Sequence, residues 1–390
     1  MKSEKYKIYC FAKETRGGAG GFLNQIFKID KKYFKMRVFL YKKDAFSNFN
    51  EKASYINKHY IDNNAPSFKK IVLFLKNLIN TYILIAKEQP SLLFAIDLYS
   101  AAVLLIIKKL FNNRLKIVLF VNIDLIELIK NKPHKIYRSL LLNTSKYLFK
   151  TADFIVFVSL GLANKIVNFF NLKNNKTMVI NNTIDFDVQT PYQDTDNDLR
   201  LFRKDKNIKI LSVGRLDWPK DFATLINAFS LANKKIHSLS LYVIGDGKLK
   251  QSLSNQISKL HLKKKVFLLG WKNNIYSYLR NTDIFILSTT SDAFPRVLLE
   301  ALSFGLPIIS TNADFGPSEI LGDGKYGLLV PVKNPGAMAK ATEKLSLNIE
   351  ERTKYSKLSR RRSKSFKLSM MLKKYKNVFF ETIKSNEKTN

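Results

Sequence analysis

The sequence has one cysteine, four histidines, few acidic residues for its size, and no apolar run long enough to cross a bilayer. A lone Cys10 excludes an internal disulfide and any multi-cysteine zinc site, and its setting in "KIYCFA" reads as a buried, inert strand thiol. His59, His134, His237 and His261 lie in polar or helix-edge contexts without metal spacing or a serine–acid partner, so each reads as a surface residue. The longest apolar stretch, Ser91–Ile107, is interrupted by Asp97 and falls short of the roughly 20 residues a spanning helix needs. A buried strand, a turn and a buried helix fit it better. The charged N-terminus lacks the apolar core and small-residue cleavage site of a secretory signal, so the expected location is the cytoplasm.

Acidic residues number 31 against 66 Lys and Arg, a net charge of +35. Residues 1–185 carry 31 basic and 12 acidic groups, residues 186–345 carry 22 and 15, and the remainder 13 and 4. The excess therefore sits in the first half and the tail. Such a field favours anionic partners, and part of it also follows from heavy use of Lys, Asn, Ile and Phe along the whole chain.

Across the 390 residues, short apolar runs alternate with amphipathic ones, which argues for parallel sheets with crossover helices and for two domains. The polar segment 188–207 reads as the interdomain linker. Its "DTDND" resembles the opening of an EF-hand loop, but Leu199 stands where a glycine is needed and Asp205 where a glutamate is, so no metal site is expected there. The stretch "FKKIVLFLKNLINTYILIAKE" (68–88) reads as a helix whose apolar positions pack in the core, with a membrane-contacting face as the alternative.

The chemistry concentrates in the second half. In "SDAFPRVLLEALSFG", Pro295 suits the first helical position, leaving amides at Arg296, Val297 and Leu298 to attract phosphate, with a stop at Gly305. Asp292 lies in the loop ahead and Glu300 on the second turn, so both carboxylates can accept hydroxyls from one pocket. In "SVGRLDWPK", Gly214 ends a strand, and Arg215 and Lys220 offer a planar fork and a point charge to a diphosphate.

The ordered set "SVGRL…K", "LYVIGDG", "VFLLGW", "DIFILSTTSDAFPRVLLEALSFGLPIIST" and "GPSEIL…YGLLVPV" resembles the retaining glycosyltransferases of family four, also called glycosyl transferases group 1. The likeness is strong over about 125 residues of the second half and looser in "RGGAGGFL", "DFIVFVS" and "VINNTIDF". It implies an α/β GT-B fold, two Rossmann-like domains whose parallel sheets face across a cleft. The division implied is 1–187, a linker at 188–207, a nucleotide-sugar domain at 208–365, and a final helix over 366–390 that crosses back to the first domain. By the same resemblance Arg215 and Lys220 clamp the donor phosphates, Glu300 holds the ribose, and Phe294, Pro295, Arg296, Val297 and Leu298 meet sugar and phosphate. Trp271 and Lys272 border the nucleobase, although Trp271 also reads as core packing. Gly17 and Gly18 match the first-domain glycine loop, and Asn122 a weak acceptor-side position. Four residues depart from the family pattern: Asp292 replaces Glu, Gly20 replaces Glu, Asn122 replaces His, and Thr183 replaces Gly in the element 182–185.

The resemblance implies transfer of a hexosyl group, with an N-acetylhexosaminyl group and UDP as the expected donor parts. No metal or other cofactor is expected. The expected acceptor is a saccharide, free or polyprenyl-linked, at an anionic membrane surface that the chain meets peripherally from the cytoplasmic side. Two alternatives remain: a GT-B phosphorylase, for which no pyridoxal-lysine motif is seen, and a basic nucleic-acid binder, for which no RRM, KH or helix-turn-helix signature is seen. No nucleic-acid partner is expected.

Overall fold

The structure is a computed structural model describing residues 5–14, 18–42, 53–56, 67–111, 114–130, 134–173, 176–185 and 197–385. The chain divides into two units, Met1–Asn182 with Leu368–Asn390, and Thr183–Lys367.

In the first unit the elements are β1 (Tyr6–Ala12), α1 (Gly18–Ile26), β2 (Phe34–Leu40), β3 (Ala53–Tyr55), α2 (Ser67–Glu88), β4 (Leu92–Ala95), α3 (Leu98–Phe111), β5 (Ile117–Val121), α4 (Leu125–Lys130), α5 (Lys135–Thr151), β6 (Phe154–Phe157), α6 (Leu160–Phe170) and β7 (Thr177–Val179). Among the described residues the strands form one sheet in the order β3-β2-β1-β4-β5-β6-β7, every pair parallel. Strands β4, β5 and β6 are buried at every position, which is why they read as continuous apolar runs rather than alternating ones. Cys10 is fully buried in β1, and desolvation pushes its thiol far above the usual range, so it is inert.

The second unit runs α7 (Asn197–Lys204), β8 (Ile208–Val213), α8 (Phe222–Asn233), β9 (Leu239–Ile244), α9 (Lys250–Lys259), β10 (Val266–Leu268), α10 (Tyr276–Arg280), β11 (Ile284–Leu287), β12 (Ser291–Asp292), α11 (Arg296–Ser303), β13 (Ile308–Thr311), β14 (Asp314–Phe315), α12 (Gly316–Leu321), β15 (Leu328–Val330), α13 (Pro335–Leu347) and α14 (Ile349–Ser363). The main sheet has the order β10-β9-β8-β11-β13-β15, again all parallel. The order in which strands are added reverses between β8 and β11, and ligands of such sheets bind at the carboxyl ends of the strands beside that reversal. A last helix, α15 (Leu368–Lys384), groups with the first unit. There Tyr375 lies 5.6 Å from Phe22, Phe379 lies 5.9 Å from Phe34, and Lys376 bonds Asp30 at 2.9 Å.

Three expectations need correction. The segment 188–207 is not linker throughout, because α7 occupies its second half. Leu199 and Phe202 sit three residues apart on α7 and are fully buried, with the Phe202 ring 4.5 Å from Tyr242. The units also part at Asn182, ahead of the expected boundary, because Ile184 donates to the Phe366 carbonyl at 3.0 Å and so joins the second unit. Core packing fails for the outer side of α2: Phe68, Ile71, Leu75, Ile79 and Ile83 are exposed.

Candidate functional site

Three strand ends meet at the carboxyl edge of the second sheet. The Gly214 amide donates to the Ile244 carbonyl at 3.0 Å, and the Gly245 amide to the Gly270 carbonyl at 2.8 Å. Gly245 has φ +142°, and a Cβ there would lie 1.9 Å from the Gly214 carbonyl oxygen. A Cβ on Gly247 would lie 2.5 Å from the Leu216 carbonyl oxygen. The glycines of "VIGDG" therefore let the loop after β9 lie directly against the loop after β8, and that contact fixes the path of Arg215 and Leu216.

Lys220 ends that loop, just before Asp221, which caps α8 by accepting from the Thr224 amide at 3.3 Å. The loop is tied to the segment after β11 at several points. The Pro219 carbonyl accepts from the Thr290 amide at 2.8 Å and the Thr289 hydroxyl at 3.1 Å, and the Lys220 carbonyl from the Ser288 hydroxyl at 2.8 Å. Across this seam the Lys220 ammonium is hydrogen-bonded to the Asp292 carboxylate, both side chains about one-fifth exposed at 20% and 18%. The Lys220 stem passes close to Gly214, where a Cβ would make ordinary contact with Lys220 Cγ at 3.4 Å. The expected cation and the expected carboxylate thus meet at the reversal point of the sheet.

Asp292 lies on β12, which pairs in parallel with β14, Asp292 opposite Phe315. Gly316 then brings α12 against the loop 293–295: a Cβ there would lie 2.6 Å from Phe294 Cα and 2.7 Å from the Ala293 carbonyl oxygen. Gly316 is a supporting residue that the sequence reading did not single out. A small residue just ahead of "PSEIL" was the available signal. Arg362 holds α12 from the far end, donating to the Ile320 and Glu319 carbonyls at 2.8 and 2.7 Å.

Helix α11 departs from expectation at its start. Pro295 is extended, with ψ 112°, and precedes the helix rather than opening it. The Leu298 amide donates to the Pro295 carbonyl at 3.1 Å, which removes Leu298 from the amides available to a phosphate. The stop is as expected: Gly305 has φ +70°, and the Gly305 and Leu306 amides return to the Leu302 and Ala301 carbonyls at 2.9 and 3.1 Å.

Glu300 is half-buried on the second turn, and desolvation raises its carboxyl above the ordinary value of 4.5, with Arg296 opposing the shift. Beside it stands Tyr276, unremarked in the sequence, whose ring stacks on Phe304 at 6.0 Å. Burial, with Glu300 adding to it, pushes the Tyr276 hydroxyl up to about 12. A raised native carboxyl costs stability at neutral pH. Below 4.5 both folded and unfolded chains hold the proton and nothing is lost, whereas stability falls as pH rises through the native value. Glu300→Gln is therefore expected to raise the melting temperature at pH 7 and to give no gain near pH 4, which thermal denaturation at the two pH values checks.

The remaining candidates are not drawn into this cluster. Arg215 is 69% exposed and faces Asp217, its Nε 3.7 Å from Oδ1. Trp271 is 56% exposed, which overturns core packing, and its indole donates to Asn273 at 3.3 Å. Lys272 is held by Asp198 of α7 at 2.6 Å, so the last aspartate of "DTDND" is an ion-pair partner. In the first unit, Gly18 opens α1 after β1, and Gly17 lies outside the described residues. Asn122 follows β5, where Asp124 performs the turn's work by accepting from the Glu127 amide at 3.2 Å and pairing with Lys165 at 2.6 Å.

Comparison with known proteins bears on the family and the fold. Residues 194–362 match the family model of glycosyl transferases group 1. An uncharacterized glycosyltransferase of Methanocaldococcus jannaschii is 31% identical over 242 residues, covering 58% of this chain and 59% of its own. From Campylobacter jejuni, N-acetylgalactosamine-N,N'-diacetylbacillosaminyl-diphospho-undecaprenol 4-alpha-N-acetylgalactosaminyltransferase is 33% identical over 219 residues, 56% of this chain and 58% of its own. The matches thus span about three-fifths of the length of these curated relatives. Among solved structures, Anabaena HepE in complex with UDP superposes with a TM-score of 0.77 at 18% identity, covering 97% of this chain and 100% of that one. Sucrose-phosphate synthase of Thermosynechococcus elongatus gives 0.79 at 17% identity, covering 97% and 99%. The fold is GT-B.

Proposed function

We propose that the chain, whose residues 194–362 match the family model of glycosyl transferases group 1, transfers a hexosyl group from a nucleoside-diphosphate sugar to a saccharide hydroxyl. The observation that carries this reading is the Lys220–Asp292 pair at the reversal point of the second sheet, with Glu300 on the second turn of the helix that follows. A diphosphate entering there meets the Lys220 ammonium and the first turn of α11, and the exposed Arg215 can close over it. Glu300 accepts from the ribose, and Asp292, released from sole possession of Lys220, accepts from the sugar. Its shorter reach than the usual Glu suits a hydroxyl held close to the loop 293–295.

In the reaction the bond from the anomeric carbon to the β-phosphate oxygen breaks as the acceptor oxygen bonds to that carbon on the same face. The acceptor proton passes to the departing phosphate. Fixed cations and helix amides stabilise the charge left on the diphosphate, so the reaction is read as metal-independent. UDP as the nucleotide is supported by the UDP complex of HepE, and an N-acetylhexosamine on a lipid-diphosphate-linked acceptor by the name of the Campylobacter relative. Such acceptors occur in the assembly of bacterial surface polysaccharides, and one relative is an amylovoran biosynthesis glycosyltransferase of Erwinia amylovora. The test is a panel of UDP, GDP and ADP sugars assayed for nucleotide release, with and without EDTA. Release from UDP-N-acetylhexosamines that survives EDTA and drops at least tenfold in Arg215→Ala supports the reading. Release from no nucleotide sugar would remove it.

A further inference from the structure

Helix α2 is apolar on its outer side as well as its inner one. Its inner side holds the buried Ile85 together with two polar residues, Asn77 and Thr81, which are 1% and 0% exposed, Asn77 donating to the Tyr99 hydroxyl at 2.7 Å and Thr81 to that of Tyr41 at 3.2 Å. Its outer side carries Phe68, Ile71, Leu75, Ile79, Tyr82 and Ile83, at intervals of three and four residues and between 37% and 74% exposed. An amphipathic helix of a water-facing domain ordinarily has charged and polar residues on that side. The apolar stripe continues beyond α2. Tyr82 meets Phe111 at the end of α3 with ring centroids 4.3 Å apart, and Lys109 of α3 stands 5.0 Å over the Tyr147 ring of α5. Helix α5 adds Ile136 and Leu140, 87% and 62% exposed.

The charge around this stripe has one sign. Helix α2 carries Lys69, Lys70, Lys76 and Lys87, and α5 carries Lys135, Arg138, Lys146 and Lys150. The only acid on either helix is Glu88, which accepts from Tyr9 and pairs with Arg37. Apolar side chains ringed by lysines fit a surface that is apolar beneath and anionic above, and they repel a second copy of themselves. No helix among the described residues is long and apolar enough to cross a membrane.

We propose that α2, the end of α3 and α5 form a face that docks the first unit on an anionic lipid bilayer, the apolar side chains entering the headgroup boundary and the lysines meeting lipid phosphates. The test is co-sedimentation of the full chain with vesicles of phosphatidylglycerol and phosphatidylcholine, or phosphatidylcholine alone, at physiological salt and without donor or acceptor. It therefore succeeds or fails independently of the glycosyl-transfer reading. Wild type is expected to bind the anionic vesicles alone. Lys69→Gln/Lys70→Gln/Lys76→Gln is expected to weaken binding about a hundredfold, at about fivefold per charge. Ile79→Glu/Ile83→Glu is expected to lose at least about tenfold, while Leu347→Glu in the second unit binds as wild type. Melting curves confirm that each variant is folded, and the lysine set, being fully on the surface, serves if the glutamates unfold the helix. Equal binding by wild type and both variant sets overturns the proposal. So does a dimer in light scattering that Ile79→Glu/Ile83→Glu splits while no form binds lipid.

Discussion

Replacing Lys220 by alanine is expected to lower kcat/KM for the donor by about a hundred- to a thousandfold while the chain stays folded. Removing one fixed positive group from a developing anionic leaving group typically costs that much. Lys220 has two partners to satisfy in turn: Asp292 when no donor is bound, and the diphosphate in the proposed reaction. A loss of activity alone does not separate a cation needed by phosphate from one needed only to hold Asp292. The double variant Lys220→Ala/Asp292→Asn does. If the lysine only neutralises the carboxylate, the asparagine restores turnover. If it meets the diphosphate, the double variant stays as slow as the single one and UDP affinity stays low, as steady-state kinetics and titration would show.

The second large effect is on stability. Gly245→Ala would place a methyl 1.9 Å from the Gly214 carbonyl oxygen, at a φ of +142° that side-chain-bearing residues rarely adopt. The clash is with backbone, so relief requires β8 and β9 to part where they carry the site. A loss of about 3 kcal/mol or more is expected, and a fall in melting temperature of about 10 °C for a unit of this size. Gly270→Ala is the control. Its φ is +70°, but nothing lies within 4 Å of the added carbon, so a loss of only about 1 kcal/mol is expected. Equal losses in the two variants would show that backbone conformation alone, and not the Gly214–Gly245 contact, sets the cost.

The parallel sheets were legible because a strand covered on both faces must be apolar throughout, as "FIVF" and "IFIL" are. Lys220 and Asp292 were legible as separate motifs, yet their pairing was not, since 72 residues separate them and only the strand order brings them together. The paired strands β12 and β14 are two residues each, too short for any period, and Gly316 approaches Phe294 closely just beyond them. Half of helix α7 is charged, and its two buried apolar side chains give too little pattern to mark a helix. The exposed apolar side of α2 was hidden for a different reason. A period of 3.6 identifies an apolar face without saying what covers it, and the partners of Asn77 and Thr81 lie 22 and 40 residues away.

Titration calorimetry of the wild-type chain with UDP, UMP and uridine tests the central claim most directly, because the proposed reaction sets Lys220 against the diphosphate. Saturable one-to-one binding of UDP is expected, weaker by at least about tenfold for UMP and further for uridine, with the UDP preference gone in Lys220→Ala. Equal affinity for all three, or no UDP binding while the chain is folded, would contradict it.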